Sequence, residues 1–233
     1  MDSNKFTPRL LGIVFVIQAV ASLVSGLMSR ALIESDNISN TMINISNAPG
    51  KMLGSIVGEL ITAIAIILLA VVLYTTLKKQ NKIIARWALG LRITEVAVLA
   101  VSRIFAFSLL YTSQLFVKAG APDSSYFHTL GSLFYESASY GYEINMLFFI
   151  LGGLLFYYLL LKSKYVPIVF PIWGITATSL AFIGTLLGLF GIIGAFSVTA
   201  MALALPNLPF ELAIGVWLMV KGFRLQEIKS KSG

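Results

Sequence analysis

Three ionisable residues interrupt an apolar stretch between Leu91 and Phe107, where they could carry chemistry that hydrocarbon otherwise excludes. Arg92, Glu95 and Arg103 share one face of a helix that turns about 100° per residue. Arg92 and Arg103 would stand about 16 Å apart along that helix, so both cannot reach water at the same membrane surface. Ionisable groups inside spanning helices usually face other helices, where they form structural pairs or mark the path of an ion or proton. The spacing therefore allows either an Arg92–Glu95 structural pair or part of a transport path.

Further polar residues follow closely on the beginnings of other apolar stretches. If the stretches that carry Glu59, Glu143 and Glu211 enter the membrane from the same side, these carboxylates lie near Arg103 in the outer half of a helix bundle. One arginine cannot neutralise three carboxylates, so at least one acid would hold a proton or bind a cation. The complete predicted polar cluster consists of Glu59, Arg92, Glu95, Arg103, Glu143, Asn145 and Glu211.

The composition places the chain in a lipid bilayer. Hydrophobic residues make up 58% of the 233 residues and charged residues only 12%, whereas soluble domains carry about 25% charged residues. The mean hydropathy is +0.88. We therefore predict an all-α, polytopic integral membrane protein, a bundle of six transmembrane helices that forms a single domain over residues 1–233. The predicted helices are about 10–32, 52–77, 83–115, 140–161, 166–190 and 206–222.

The segments between the apolar stretches are short. Residues 34–50 are rich in Asn and Ser and end in Pro-Gly, which predicts a loop. Residues 117–139 are interpreted as an interhelical segment with a short interfacial helix, on which His128 is either a surface residue or a pH-sensitive group. Residues 191–205 are small and apolar, which favours a re-entrant or interfacial piece.

The net charge of +7 is explained by membrane topology. The basic residues cluster beside apolar stretches, as the positive-inside rule requires, so nucleic acid is not predicted as a partner. With both termini in the cytoplasm, twelve lysines and arginines lie on the cytoplasmic side, and only Arg30, Lys51 and Lys118 lie outside. We therefore predict cytoplasmic N- and C-termini and an even number of spans.

The residues that most enzymes and metal sites use are scarce. The chain has no cysteine and one histidine, which excludes disulfides, thiol catalysis and multi-histidine zinc sites within one chain. It also lacks the phosphate-binding, dinucleotide-binding and nucleophile-elbow motifs of common enzymes. We predict no cofactor, no metal site and no catalytic residue, which argues against an enzyme.

Short motifs in a fixed order give the chain a family resemblance over essentially its whole length. The motifs are Arg9-Leu10-Leu11-Gly12, Leu91-Arg92-Ile93-Thr94-Glu95, Tyr140-Gly141 ahead of Phe148-Phe149, Ser163-Lys164-Tyr165-Val166-Pro167, and Glu211 before Trp217-Leu218 and Lys221-Gly222. In these the chain resembles a prokaryotic multipass membrane family known as domain of unknown function 4386. Many members carry a histidine where this chain has Ser137-Ala138-Ser139, so the resemblance does not support a histidine-based mechanism. It implies a prokaryotic plasma (inner) membrane protein and no particular activity.

Three functions are compatible with these residues. The polar cluster could serve a proton- or cation-linked transporter of a small solute, as in transporters that bind through buried carboxylates. It could equally hold together a non-catalytic scaffold or an accessory subunit of a membrane complex. A lipid-modifying enzyme with Glu143 and His128 as acid and base is least supported, because nothing identifies a nucleophile or metal. The expected partners are the lipid bilayer and either another membrane protein or a second copy of the chain.

Overall fold

The computed structural model describes residues 3–34, 37–194 and 197–224, with side chains from residue 7 onward. The described residues form helices and contain no strand. Their helices are α1 (Ser3–Arg30), α2 (Ile38–Asn47), α3 (Pro49–Leu77), α4 (Lys82–Lys118), α5 (Ser125–Ser163), α6 (Val169–Leu189), α7 (Val198–Ala204) and α8 (Asn207–Lys221).

Six stretches of the described chain are long and apolar enough to cross a membrane, which confirms the predicted fold class. They are Thr7–Arg30, Pro49–Leu77, Lys82–Lys118, Ser125–Ser163, Val169–Leu189 and Val198–Lys221. The chain reverses direction between successive spans, so the loops lie at two opposite ends of the helix bundle. We call the end where α1 ends and α3 begins the α2 end, and the end where α1 begins and α8 ends the terminal end.

The turn between α3 and α4 shows how short polar segments set these reversals. The Asn81 side chain accepts hydrogen bonds from the backbone N–H groups of Ile83 and Ile84, both at 3.0 Å. This N-cap satisfies two of the donors that a helix start leaves open, so α4 begins directly after the basic turn.

The prediction that residues 34–50 form a loop is wrong for most of that segment, because it contains α2. The Asn37 side chain caps this helix by accepting a hydrogen bond from the Asn40 backbone N–H at 3.0 Å. Met42 and Ile45 are fully buried on the same side of α2. Asn and Ser, which suggested turns, instead supply the cap and the polar face of an amphipathic helix.

The segment 117–139 is also different from its prediction, because α5 runs without a break from Ser125 to Ser163. The short interfacial helix and the predicted fourth span are therefore one helix of 39 residues. Its glycines do not end it, since Gly131 lies against the Met42 side chain and Gly141 against Ser102. Between 191 and 205, α7 packs on α6, where Leu203 covers Gly184, and the last apolar stretch begins at Val198 rather than Pro206.

The spans pack around the buried polar residues. α4 packs along α5, α1 packs on both α3 and α8, and α6 lies on the other side of α5. A large apolar cluster fills the terminal end, and a second cluster around Met42, Ile56 and Phe116 fills the α2 end. The polar side chains lie between these two clusters.

Candidate functional site

Arg92 and Glu95 form an ion pair inside the bundle. The Arg92 Nη1 and Glu95 Oε2 atoms are 3.0 Å apart, and the two side chains are 4% and 2% exposed. The same Oε2 atom receives no well-directed hydrogen bond from any described residue. The contact is therefore mainly Coulombic, and the carboxylate retains capacity to accept a proton or a further donor.

Gln18 connects this pair to the last helix. Its Nε2 donates to Glu211 Oε1 at 3.0 Å, and its Oε1 accepts from Arg92 Nη2 at 3.4 Å. The guanidinium also stacks 4.9 Å from the centre of the Phe149 ring, a cation–π contact. We call Gln18, Arg92, Glu95 and Glu211 the Arg92 cluster; it joins α1, α4 and α8 and is buried throughout.

A second group of polar residues surrounds Arg103, nearer the α2 end. Its Nη2 donates to Ser102 Oγ at 2.8 Å, and Ser102 Oγ donates to the Ala138 carbonyl, also at 2.8 Å, which ties α4 to α5. The Arg103 Nε atom is buried without a hydrogen-bond acceptor among the described residues. Glu59 of α3 is buried and lies within electrostatic range of Arg103.

Tyr142 lies between the two groups. It is within electrostatic range of Glu59, Glu143 and Arg103, and also of Glu95 in the Arg92 cluster. We call Glu59, Arg103 and Tyr142 the Arg103 cluster. Tyr142 is therefore within electrostatic range of charged residues in both clusters.

Glu143 and Asn145 are buried on α5, but they do not share a face of it. Glu143 rests on Gly188 of α6 so closely that a Cβ atom at residue 188 would lie 2.8 Å from the Glu143 Oε1 atom. The Asn145 Oδ1 atom is buried and has no hydrogen-bond donor among the described residues. Gly188 is thus required for the position of Glu143, whereas Asn145 forms no described bond to either cluster.

The structure divides the predicted cluster in two. It brings Arg92, Glu95 and Glu211 together and brings Glu59 near Arg103, but Glu211 bonds to Gln18 instead of joining Arg103. This arrangement differs from the expected approach of Glu211 to Arg103. The last apolar stretch begins at Val198, about two turns before the predicted start at Pro206.

Two contributors were missing from the predicted cluster. Gln18 is uncharged, and its only signal in the sequence is a stripe of polar residues along α1 that includes Ser25 and Ser29. Ser102 is a common residue in an apolar helix, and its role follows only from the neighbouring Ala138 carbonyl. The partner in each contact cannot be identified from one sequence alone.

A cavity borders the Arg103 cluster at the α2 end. Its volume of about 40 Å³ can hold two or three water molecules. Among the predicted cluster residues it is lined by Arg103 alone, together with Ser29, Ser55, Tyr135 and Ser139 and apolar side chains from α1 to α5. The described residues contain no group of three or more His, Asp or Glu side chains that could hold a metal ion.

His128 lies away from both clusters. Its Nε2 atom and Ser39 Oγ share a hydrogen bond of 2.7 Å, and its ring meets the edge of Phe116. The histidine thus fastens α2 to α5. It has no described contact with Glu143, so the geometry does not pair these two residues as acid and base.

Comparison with known proteins identifies a family but no individual relative. A family model described as Domain of unknown function (DUF4386) matches residues 10–222. No curated protein and no solved structure matches the chain. The match includes every residue of the two clusters.

Proposed function

The chain belongs to the family described as Domain of unknown function (DUF4386), and that description carries no activity. From the buried charged residues of this chain we propose that it is a proton-linked transporter of a small solute. The orientation proposed with it has both termini in the cytoplasm of a prokaryotic cell, with the α2 end outside. The distribution of lysine and arginine supports that orientation.

The excess of buried carboxyl groups is the observation that carries the proposal. Within the described residues Glu59, Glu95, Glu143 and Glu211 are all buried, and the arginines beside them are Arg92 and Arg103. Ionised carboxylates without a counter-charge are too costly inside a membrane protein, so part of this set must hold protons. Carboxyl groups that share protons across several helices are the means by which coupled transporters link proton and solute binding.

The arrangement of the groups also supports a path. The Arg92 cluster lies deep, Tyr142 lies between the clusters, and the Arg103 cluster adjoins the cavity at the α2 end. A proton that enters through the cavity would thus reach Glu59 beside Arg103 first, while Glu95 and Glu211 would be reached only after a change in packing. Alternating access in transporters depends on such a closed half.

The test is proton entry into liposomes that contain the purified protein and a trapped pH-sensitive dye. Sodium chloride, methylammonium gluconate and urea are added in turn as anionic, cationic and neutral probes. We expect one probe to drive proton entry in the unaltered protein and to fail in Glu59→Gln, since Gln preserves shape but cannot carry a proton. Glu136→Gln is the matched control, because Glu136 is exposed on α5. Equal proton entry with and without protein for all three probes would reject the proposal.

A scaffold or accessory subunit is the second candidate, and the enclosed Arg92 cluster favours it. Arg92 and Glu95 are 4% and 2% exposed, and Arg92 contacts Gln18, Phe149 and Gly152 on neighbouring helices. Such a cluster could serve only to join helices, with another membrane protein or a second copy of the chain as partner. Under this function, Glu→Gln at residues 59, 143 and 211 would leave folding and pH dependence unchanged.

A further inference from the structure

We propose that the cavity at the α2 end binds a small monovalent anion through Arg103, and that this anion is the solute moved together with a proton; the inference rests on the proposed transport function. The lining contains a guanidinium group and no carboxylate. A cation placed there would therefore meet a positive charge without an acidic ligand, whereas an anion would meet charge-assisted donors.

Among the donors that line the cavity, the guanidinium group has one that is unused. The hydroxyl groups of Ser55 and Ser139 already donate to backbone carbonyls, that of Ser55 to Ser25 at 3.0 Å and that of Ser139 to Tyr135 at 2.9 Å. Arg103 uses Nη2 to donate to Ser102, but its Nε hydrogen has no acceptor among the described residues. A buried donor without an acceptor is unfavourable, and a bound anion would remove that cost.

Glu59 would couple this anion to a proton. When Glu59 is ionised, its charge offsets that of Arg103 and opposes a second negative charge nearby. When Glu59 is protonated, the guanidinium is left without that counter-charge and attracts the anion. Lower pH should therefore strengthen anion binding, and the proton and anion enter as a neutral pair.

Other charged and titratable groups face this site from the surrounding helices. Tyr142 of α5 lies within electrostatic range of Arg103 and Glu59, and also of Glu143 on its own helix and of Glu95 on α4. Tyr135 of α5, which lines the cavity, lies within range of Arg30 at the end of α1 and of Glu136 on its own helix. Glu59 remains the acid whose charge acts on Arg103 from the facing helix α3, so the Glu59→Gln variant isolates its contribution.

Cavity size limits the class of anion. A volume of about 40 Å³ suits an ion with few heavy atoms, such as chloride, nitrate or formate. Gluconate, with its six-carbon chain, is too large and serves as the non-binding anion that keeps ionic strength constant.

The experiment measures the thermal unfolding midpoint of the full chain in detergent while sodium chloride or sodium nitrate replaces sodium gluconate. A ligand that binds only the folded state raises this midpoint, which gives an apparent Kd. We expect chloride or nitrate to raise it at pH 5.5, with an apparent Kd that weakens by up to about tenfold per pH unit over the range in which Glu59 ionises. Arg103→Gln should lose the rise, and Arg86→Gln, an exposed arginine on the same helix, should keep it.

Further variants separate binding from folding. Glu59→Gln should bind the anion with the same apparent Kd at pH 5.5 and 7.5, since residue 59 no longer changes charge. If Arg103→Gln does not fold, two other variants provide the comparison. Arg103→Lys keeps the charge and should retain weakened binding. Ala106→Val narrows the cavity and should reduce binding. An equal rise in Arg103 variants and unaltered protein, or no rise with any small anion, overturns the proposal. Proton entry driven only by methylammonium or urea would reject a small anion as the solute but would still support proton-linked transport.

Discussion

Arg92 contacts side chains of three helices, and its positive charge is the counter-charge of the buried Glu95 carboxylate. It pairs with Glu95, donates to Gln18 and lies on the Phe149 ring. Gly152 leaves room for its aliphatic part, since a Cβ atom at residue 152 would lie 2.9 Å from the Arg92 Cδ atom. Removing one member of a buried ion pair is more damaging than removing both, because the remaining charge has no partner.

We therefore expect Arg92→Met to destabilise the protein by about 3–5 kcal/mol, the cost typical of breaking a buried pair. The double variant Arg92→Met, Glu95→Met should be less destabilised than the single one. Equilibrium unfolding in mixed micelles, followed by tryptophan fluorescence, measures both, and exposed Arg86 mutated to Met is the control. A double variant that is at least as destabilised as Arg92→Met would contradict the pairing.

At this scale the sequence reveals the charged residues better than their partners. Arg92 and Glu95 are three positions apart on one helix, so their pairing follows from helical geometry alone. The partner of Glu211 does not, because it depends on the depth of α8 and on the packing of α1 against it. Pairings between helices require the three-dimensional arrangement, for which one sequence has no spacing rule.

At the scale of helices, glycines determine how closely α1 and α8 approach. A Cβ atom at Gly12 would collide with the backbone carbonyl of Gly215 and lie 2.9 Å from the Met219 backbone nitrogen. Backbone atoms cannot move aside as a flexible side chain can, so the two helices would have to separate. Small residues at such crossings are typical of membrane helices.

Gly12→Ala should accordingly destabilise the bundle, by about 1–3 kcal/mol if the strain is that of ordinary overpacking. Gly26→Ala is the matched control on the same helix, because no atom lies within 4 Å of a Cβ at residue 26. That control should be neutral or more stable by up to about 1 kcal/mol, the helix preference of alanine over glycine. Unfolding in mixed micelles compares them, and an equal effect of both substitutions would contradict the close crossing.

Helix existence was easier to predict than helix extent. The six apolar stretches are evident from hydropathy, whereas α2 and the first turns of α5 are polar enough to resemble loops. Those segments become helical because Met42 and Ile45 are buried and Gly131 lies against Met42, with the Met42 Sδ atom 2.8 Å from where a Gly131 Cβ would lie. Such tertiary contacts override local composition and are not evident along the chain.

For the whole molecule, the orientation across the membrane can be tested without removing any native thiol, since the chain has no cysteine. Asn47 at the α2 end and Lys79 at the terminal end are both exposed and suit single-cysteine substitution. In intact cells a membrane-impermeant maleimide should label Asn47→Cys and leave Lys79→Cys unlabelled until the membrane is opened. Labelling of the two positions in the reverse order would invert the proposed topology.

The lengths of α4 and α5 have a consequence for how the molecule is held together. Their 37 and 39 residues extend for about 55 Å or more, far beyond a hydrocarbon layer of about 30 Å. We therefore expect part of the apolar cluster around Met42 and Phe116 at the α2 end to project beyond the hydrocarbon layer, where the hydrophobic effect would stabilise it as in a small soluble protein. The spans beneath it gain nothing from water and cohere by close packing and buried polar contacts. Heat or urea should therefore weaken the hydrophobic contacts of the projecting part, whereas the spans depend on close packing and polar contacts that respond differently to these conditions.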